Sequence, residues 1–126
     1  MGAERKSLSK PDETRRVGHA KIELVRIGGG TVRRITLEPG WRWSQDVGSG
    51  TKTAWCEAKH FQYHVSGRLH VMTADGTEFD LEPGDVCVLP SGHDTWVIGS
   101  EPVVLIDWGE ASPRPRRTDD TWTGRR

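Results

Sequence analysis

The sequence predicts an all-β domain, on three observations. Short runs of alternating apolar and polar residues recur along the chain, turn residues separate them, and no run has the length and periodicity of an ordinary helix. Residues 21–27 (KIELVRI) have period two, and Gly28, Gly29 and Gly30 follow as a turn. A glycine run can cradle phosphate when a helix follows it. Here residues 31–37 (TVRRITL) read as another strand, so the triplet reads as a hairpin turn. Glu38-Pro39-Gly40 then breaks the chain.

Further strands are expected over residues 53–58, 60–65, 68–73, 77–81, 86–89, 95–98 and 103–108. Their separators are Ser66-Gly67, Asp75-Gly76, Pro83-Gly84-Asp85, Pro90-Ser91-Gly92 and residues 99–102. Asp75-Gly76 between two such runs is a hairpin signal. The spacing indicates a sandwich or barrel.

The 126 residues suit one domain with its own core, without disulfide or metal staples. Residues 1–16 are charged and nearly devoid of apolar side chains, and read as a flexible arm. Residues 17–111 form the expected barrel domain. Residues 112–126, with Pro113, Pro115 and many charges, read as a tail that Trp122 could dock.

Charge and cysteine content narrow the function classes. Eighteen Lys and Arg balance 18 Asp and Glu, so no net field draws the chain to nucleic acid or to an anionic membrane. No apolar run is long enough to span a bilayer, and the first residues lack a signal-peptide stretch. Cys56 and Cys87 are too few for a disulfide framework. A cytoplasmic, reducing setting is the expectation.

Two stretches carry a family resemblance. Residues 81–93 (LEPGDVCVLPSGH) place Gly84, Pro90 and Gly92 as in the second signature of the cupin superfamily, which runs Gly, five residues, Pro, one residue, Gly, two residues, His. Residues 60–67 (HFQYHVSG) resemble the end of the first signature, where a Glu precedes a Gly by seven positions. The resemblance spans about residues 32–108 and implies a double-sheet jelly-roll barrel with a central cavity.

Cupins typically bind a metal through two His one residue apart, a Glu, and a His from the second signature. Those positions fall here on Ala54, Cys56, His60 and Thr95, with a His at 93 instead. Only Cys56 and His60 are plausible ligands among the four, and neither is the usual type.

Alternation places His60, Gln62 and His64 on one strand face, inward if the barrel register holds. His60 and His64 are about 13 Å apart along a strand, too far to share one ion. The candidate metal set is therefore Cys56, His60 and His93, suited to a divalent transition metal such as Zn, with Fe or Cu as alternatives. Three protein ligands leave a position open for water or substrate.

His64 is the candidate proton carrier and Gln62 a substrate-orienting residue. Trp41 and Trp43 with Arg42 suggest a lid over a planar anionic ligand. Each residue also has a plain reading: Cys56 a small buried hydrophobe, His60 and His64 interior side chains held by hydrogen bonds, His93 a loop cap, the tryptophans core or interface. His70 is expected in solvent and Cys87 in the core.

Two functions stay open. One is a metal-dependent enzyme of oxygenase, isomerase or lyase type acting on a small molecule inside the barrel. The other is a ligand-binding or sensory module without metal. The resemblance also implies a homodimer, with residues 21–27 as the candidate edge strand.

Overall fold

Nine strands form two antiparallel sheets in the computed structural model, which describes residues 2–48 and 60–108. In chain order they are β1 (Glu13–Val17), β2 (Ala20–Ile27), β3 (Gly30–Leu37), β4 (His60–Ser66), β5 (Arg68–Thr73), β6 (Glu78–Leu81), β7 (Val86–Leu89), β8 (His93–Ile98) and β9 (Val103–Asp107). The larger sheet runs β1-β2-β3-β9-β4-β7 and the smaller β6-β5-β8. The double-sheet jelly-roll architecture expected from the sequence is present. Expected strand 53–58, with Ala54 and Cys56, lies outside the described residues, as does the tail 112–126.

Turn chemistry sets the pairing. Gly28 and Gly29 both have positive φ (58° and 79°) between paired Ile27 and Gly30, the backbone of a two-residue hairpin turn. Gly67 joins β4 to β5 at φ 78°, and a Cβ there would lie 2.3 Å from the Pro102 carbonyl oxygen. Only glycine fits both the dihedral and the space.

Between the sheets, alternating residues form the core. Leu69, Val71 and Leu81 from the smaller sheet meet Leu37, Leu89 and Leu105 from the larger. Cys87 joins this core as expected, and burial pushes its thiol up to about 11. Truncating a side chain such as Leu105 to Ala costs about 2–5 kcal/mol.

Three expectations are corrected here. Residues 1–16 are not a free arm: Glu13–Val17 forms β1, paired with β2 from Glu13↔Leu24 to Val17↔Ala20. Upstream, the Gly28 amide donates to Glu4, the Arg34 guanidinium to the Leu8 carbonyl, and the Arg26 amide to the Asp12 carboxylate. Hydrogen bonds to an existing sheet edge order this polar segment, which composition alone does not register. The barrel therefore begins before residue 17. Second, β2 is not an edge strand, because β1 covers it. Third, His70 is not in open solvent. Its Nδ1 lies 2.6 Å from Asp80 and its Nε2 2.7 Å from Glu78, with the Trp96 ring centroid 4.6 Å away.

The only helix among the described residues is one turn, α1 (Trp43–Asp46). Asp46 anchors it to the β1–β2 turn by accepting from the His19 amide (2.7 Å) and lying 2.5 Å from its ring. On the other side the Val97 amide donates to the Trp41 carbonyl. These ties hold Trp41 and Trp43 over the interior.

Gly67→Ala should destabilise the fold by at least about 2 kcal/mol, because it adds a backbone clash to a strained dihedral. Thermal melts measure this, and an unchanged midpoint would contradict the tight β4–β5 corner.

Candidate functional site

A cavity of about 310 Å³ opens between the sheets. Most of its wall is apolar, with Ile22, Ile35 and Leu37 from β2 and β3, and Trp41 and Trp43 from the segment around α1. Its polar side chains come from three strands: His60 and Gln62 from β4, His93 and Thr95 from β8, and Asp107 from β9. Ligand sites commonly combine an apolar wall with a few convergent polar groups.

The β4–β9 register sets Gln62 opposite Asp107, so His60 is the diagonal neighbour of Asp107 on the same face. His60 Nδ1 lies 2.7 Å from the Asp107 carboxylate, which is buried. His93 is also buried, and its Nδ1 lies 2.8 Å from the Pro90 carbonyl oxygen. A carbonyl oxygen or an ionised carboxylate only accepts, so both rings donate from Nδ1. In the neutral ring, Nε2 then carries the lone pair. The two ring centroids are 5.3 Å apart at 68°.

This arrangement fits a metal centre in part. Metal-binding histidines nearly always donate their other ring N–H to a carboxylate or carbonyl, as both do here. Two imidazoles sharing one ion at about 2.1 Å through Nε2 have centroids roughly 4.5–5.2 Å apart. His60 and His93 approach that spacing. Among the described residues no three His, Cys, Asp or Glu side chains form a metal-binding group. The third expected ligand, Cys56, lies outside them.

Other expected site residues divide. Gln62, Trp41 and Trp43 line the cavity. Trp41 is buried, and its Nε1 donor has no hydrogen-bond partner among the described residues. Arg42 does not line it. Its guanidinium stacks 4.1 Å from the Trp96 ring, and its Nε donates to Asp94 (3.2 Å) and Ser44 (3.1 Å). Alternation between two inward tryptophans sends the side chain at 42 outward, which rules out the Arg42 lid.

His64 does not line the cavity either. It points inward as expected but is fully buried, its Nε2 donating to the Gly67 carbonyl at 2.9 Å while Nδ1 has no partner among the described residues. Burial holds its pKa below the usual imidazole value. Two residues further along β4 than Gln62, the inward face has passed from the cavity into packed interior. The proton-carrier role assigned to His64 therefore has no access to a ligand in this cavity.

Sequence reading missed Asp107. The signal was present: in residues 103–107 (VVLID) the inward positions are Val103, Leu105 and Asp107, so a carboxylate follows two core residues. A carboxylate at a core position requires a partner.

Comparison with known proteins bears on the fold. A protein of unknown function from Rhizobium leguminosarum superposes with a TM-score of 0.62 at 20% identity, over 87% of this chain and 98% of that one. A cupin-like protein from Thermotoga maritima matches with a TM-score of 0.54 at 18% identity, over 74% and 69%. The fold is that of the cupins. An oxalate decarboxylase from Lactobacillus farciminis, in complex with formate, contains the same cupin architecture. It matches at 17% identity and a TM-score of 0.57, over 87% of this chain and 34% of its own length. No protein-family model and no curated protein matches the sequence.

Two histidines of this cupin barrel set opposite pH slopes. His64 binds protons less readily folded than unfolded, so its share of stability is lost as pH falls from about 6.5 through its lowered value. The pKa of His70 is raised, first by the Asp80 hydrogen bond and then, against partial desolvation, by Glu78. Its share is complete below about 6.5 and is lost as pH rises through the raised value. His70→Gln should flatten the alkaline side of a melting-temperature profile and leave the acid side in place. An unaltered alkaline side would refute the carboxylate clamp.

Proposed function

We propose that the barrel cavity binds a small, largely apolar molecule with a polar head group, and that His60 and His93 hold a divalent transition metal (Zn, Fe or Cu) at that head. The observation carrying this reading is the pair of Nδ1 anchors, Asp107 for His60 and the Pro90 carbonyl for His93. They orient both rings and set both tautomers, as metal-binding histidines require. Cys56 completes the proposed ligand set.

A bound metal supplies a Lewis acid that polarises a carbonyl or activates water. The chain's own residues do the rest. Asp107 keeps the His60 ring aligned. Gln62 and Thr95, beside the two histidines, orient the polar head, and the Trp41 Nε1 donor awaits an acceptor on the ligand. Trp41, Trp43, Ile22 and Ile35 exclude water from the apolar body. An oxygenase, isomerase or lyase acting on such a molecule in the cytoplasm is the proposed class. The oxalate decarboxylase among the structural neighbours is compatible with it.

A second reading rests on Thr95, which occupies the position where cupins usually supply a ligating His. Without that donor, the same cavity serves as a metal-free binding or sensory module. This fold hosts both kinds of protein.

Elemental analysis of protein purified without a histidine tag tests the metal. Stoichiometric Zn, Fe or Cu is expected, lost in the His60→Ala and His93→Ala variants and weakened about 10–100-fold in affinity by Asp107→Asn. Cys56→Ser should also weaken binding if the thiolate is a ligand. Metal-free protein, or metal content indifferent to both histidines, would leave the sensory module as the correct reading.

A further inference from the structure

Strand pairing sets one row of side chains across the whole larger sheet. Glu13, Leu24, Arg33, Asp107, Gln62 and Cys87 stand opposite one another in turn, from β1 to β7. Directly paired residues point to the same face. Asp107 and Gln62 line the cavity, so Arg33 belongs to the inner face as well. Ile35 and Leu37, in phase with Arg33 along β3, are cavity wall. Arg33 therefore stands beside the polar end of the cavity, its Cβ about 4.5–5.5 Å from that of Asp107.

The neighbouring arginines are committed to partners, and Arg33 is not. Arg34 faces outward and donates to Glu23 and to the Leu8 carbonyl. Arg15 and Arg26 share the Glu13 carboxylate. Arg33 makes no hydrogen bond or ion pair with any described residue, although its side chain is only partly exposed. Asp107, directly opposite, turns an oxygen to His60. A half-buried guanidinium calls for an anion, and its planar fork matches a carboxylate. The surrounding charge has the same sense. Arg15 is paired with Ile22, and Arg26 is in phase with Ile22 and Leu24, so the inner-face positions flanking the apolar wall hold three arginines and one glutamate. An excess of one sign beside a cavity concentrates ligands of the other.

We propose that Arg33 is a specificity-determining residue of the cavity, and that the polar head of the ligand is a carboxylate held by its guanidinium. The inference rests on the cavity reading above and adds the charge of the head. The fork takes the carboxylate through two parallel N–H···O bonds, while Ile22, Ile35 and the tryptophans take the apolar body.

Isothermal titration calorimetry of the full chain tests it with matched probes: straight-chain acids from hexanoate to decanoate, and the primary amides of the same lengths. The amide keeps the size and removes the charge. The wild type should bind the best acid at least about tenfold more tightly than its amide, as a charged hydrogen-bonded pair allows. In Arg33→Gln the preference should nearly vanish, through a weaker acid rather than a tighter amide. Arg33→Lys keeps the charge without the fork and should retain part of it. That variant also covers the case where Arg33→Gln misfolds. Metal content and far-UV circular dichroism should match the wild type in both. Equal binding of acid and amide by the wild type would overturn the proposal and leave the cavity reading standing. So would a preference that persists in folded Arg33→Gln. A variant that loses acid and amide alike, with a lower melting temperature, would make Arg33 a structural partner of Asp107, which also overturns it. If the wild type binds neither series, the cavity reading falls with the proposal.

Discussion

The antiparallel register of β4 on β9 is the constraint from which the rest of the molecule follows. Gln62 opposite Asp107 places His60 diagonally across from the same carboxylate, and the 2.7 Å contact between them closes the polar wall of the cavity. Shifting β4 by one residue would put Phe61 where His60 stands and remove the imidazole that meets the buried Asp107. Losing a hydrogen bond to a buried carboxylate is costly, so the His60 contact also protects the register that creates it. Site and fold are specified by the same strand pairing.

The parts of this architecture legible in the sequence are those that depend on local chemistry. Gly28-Gly29, Gly67 and Asp75-Gly76 mark turns because few other residues tolerate the dihedrals, and the strands between them alternate. His60, Gln62 and His93 were legible as inward residues because parity along a strand is local. What sequence did not convey depends on where neighbouring elements end. Strand β1 forms because β2 presents an open edge, although its own residues are nearly all polar. His64 shares the parity of His60 but lies beyond the cavity, and parity carries no depth. Arg42 sits between two cavity tryptophans and points away from them, to a Trp96 ring far along the chain. Asp107 was legible in principle, since a carboxylate in phase with Val103 and Leu105 has no local reason to be there.

The chemistry of the cavity rests on contrast between its walls. The apolar side from β2 and β3 binds without direction, since burial of apolar surface rewards area alone. The polar side fixes orientation, because His60 and His93 are each held through Nδ1 and cannot rotate without losing that hydrogen bond. A molecule entering this space is therefore held by its body and aligned by its head. The cupin fold explains how the space arises and leaves its use to these residues.

The inverted pattern of β4 links the interior to the surface. A strand spends its two faces together, because successive side chains must point to opposite sides. Choosing His60, Gln62 and His64 for the inside leaves positions 61, 63 and 65 outside. Nothing in the interior obliges those positions to be Phe, Tyr and Val, and threonine or lysine would satisfy an exposed strand facing water. Their identity therefore calls for a cause on the outer side. The neighbouring strands repeat the choice, with Val86 and Val88 on β7 and Ile106 on β9, and one strand's accident would not extend across three. Water is a poor neighbour for such a surface, so a second apolar surface is the consistent one.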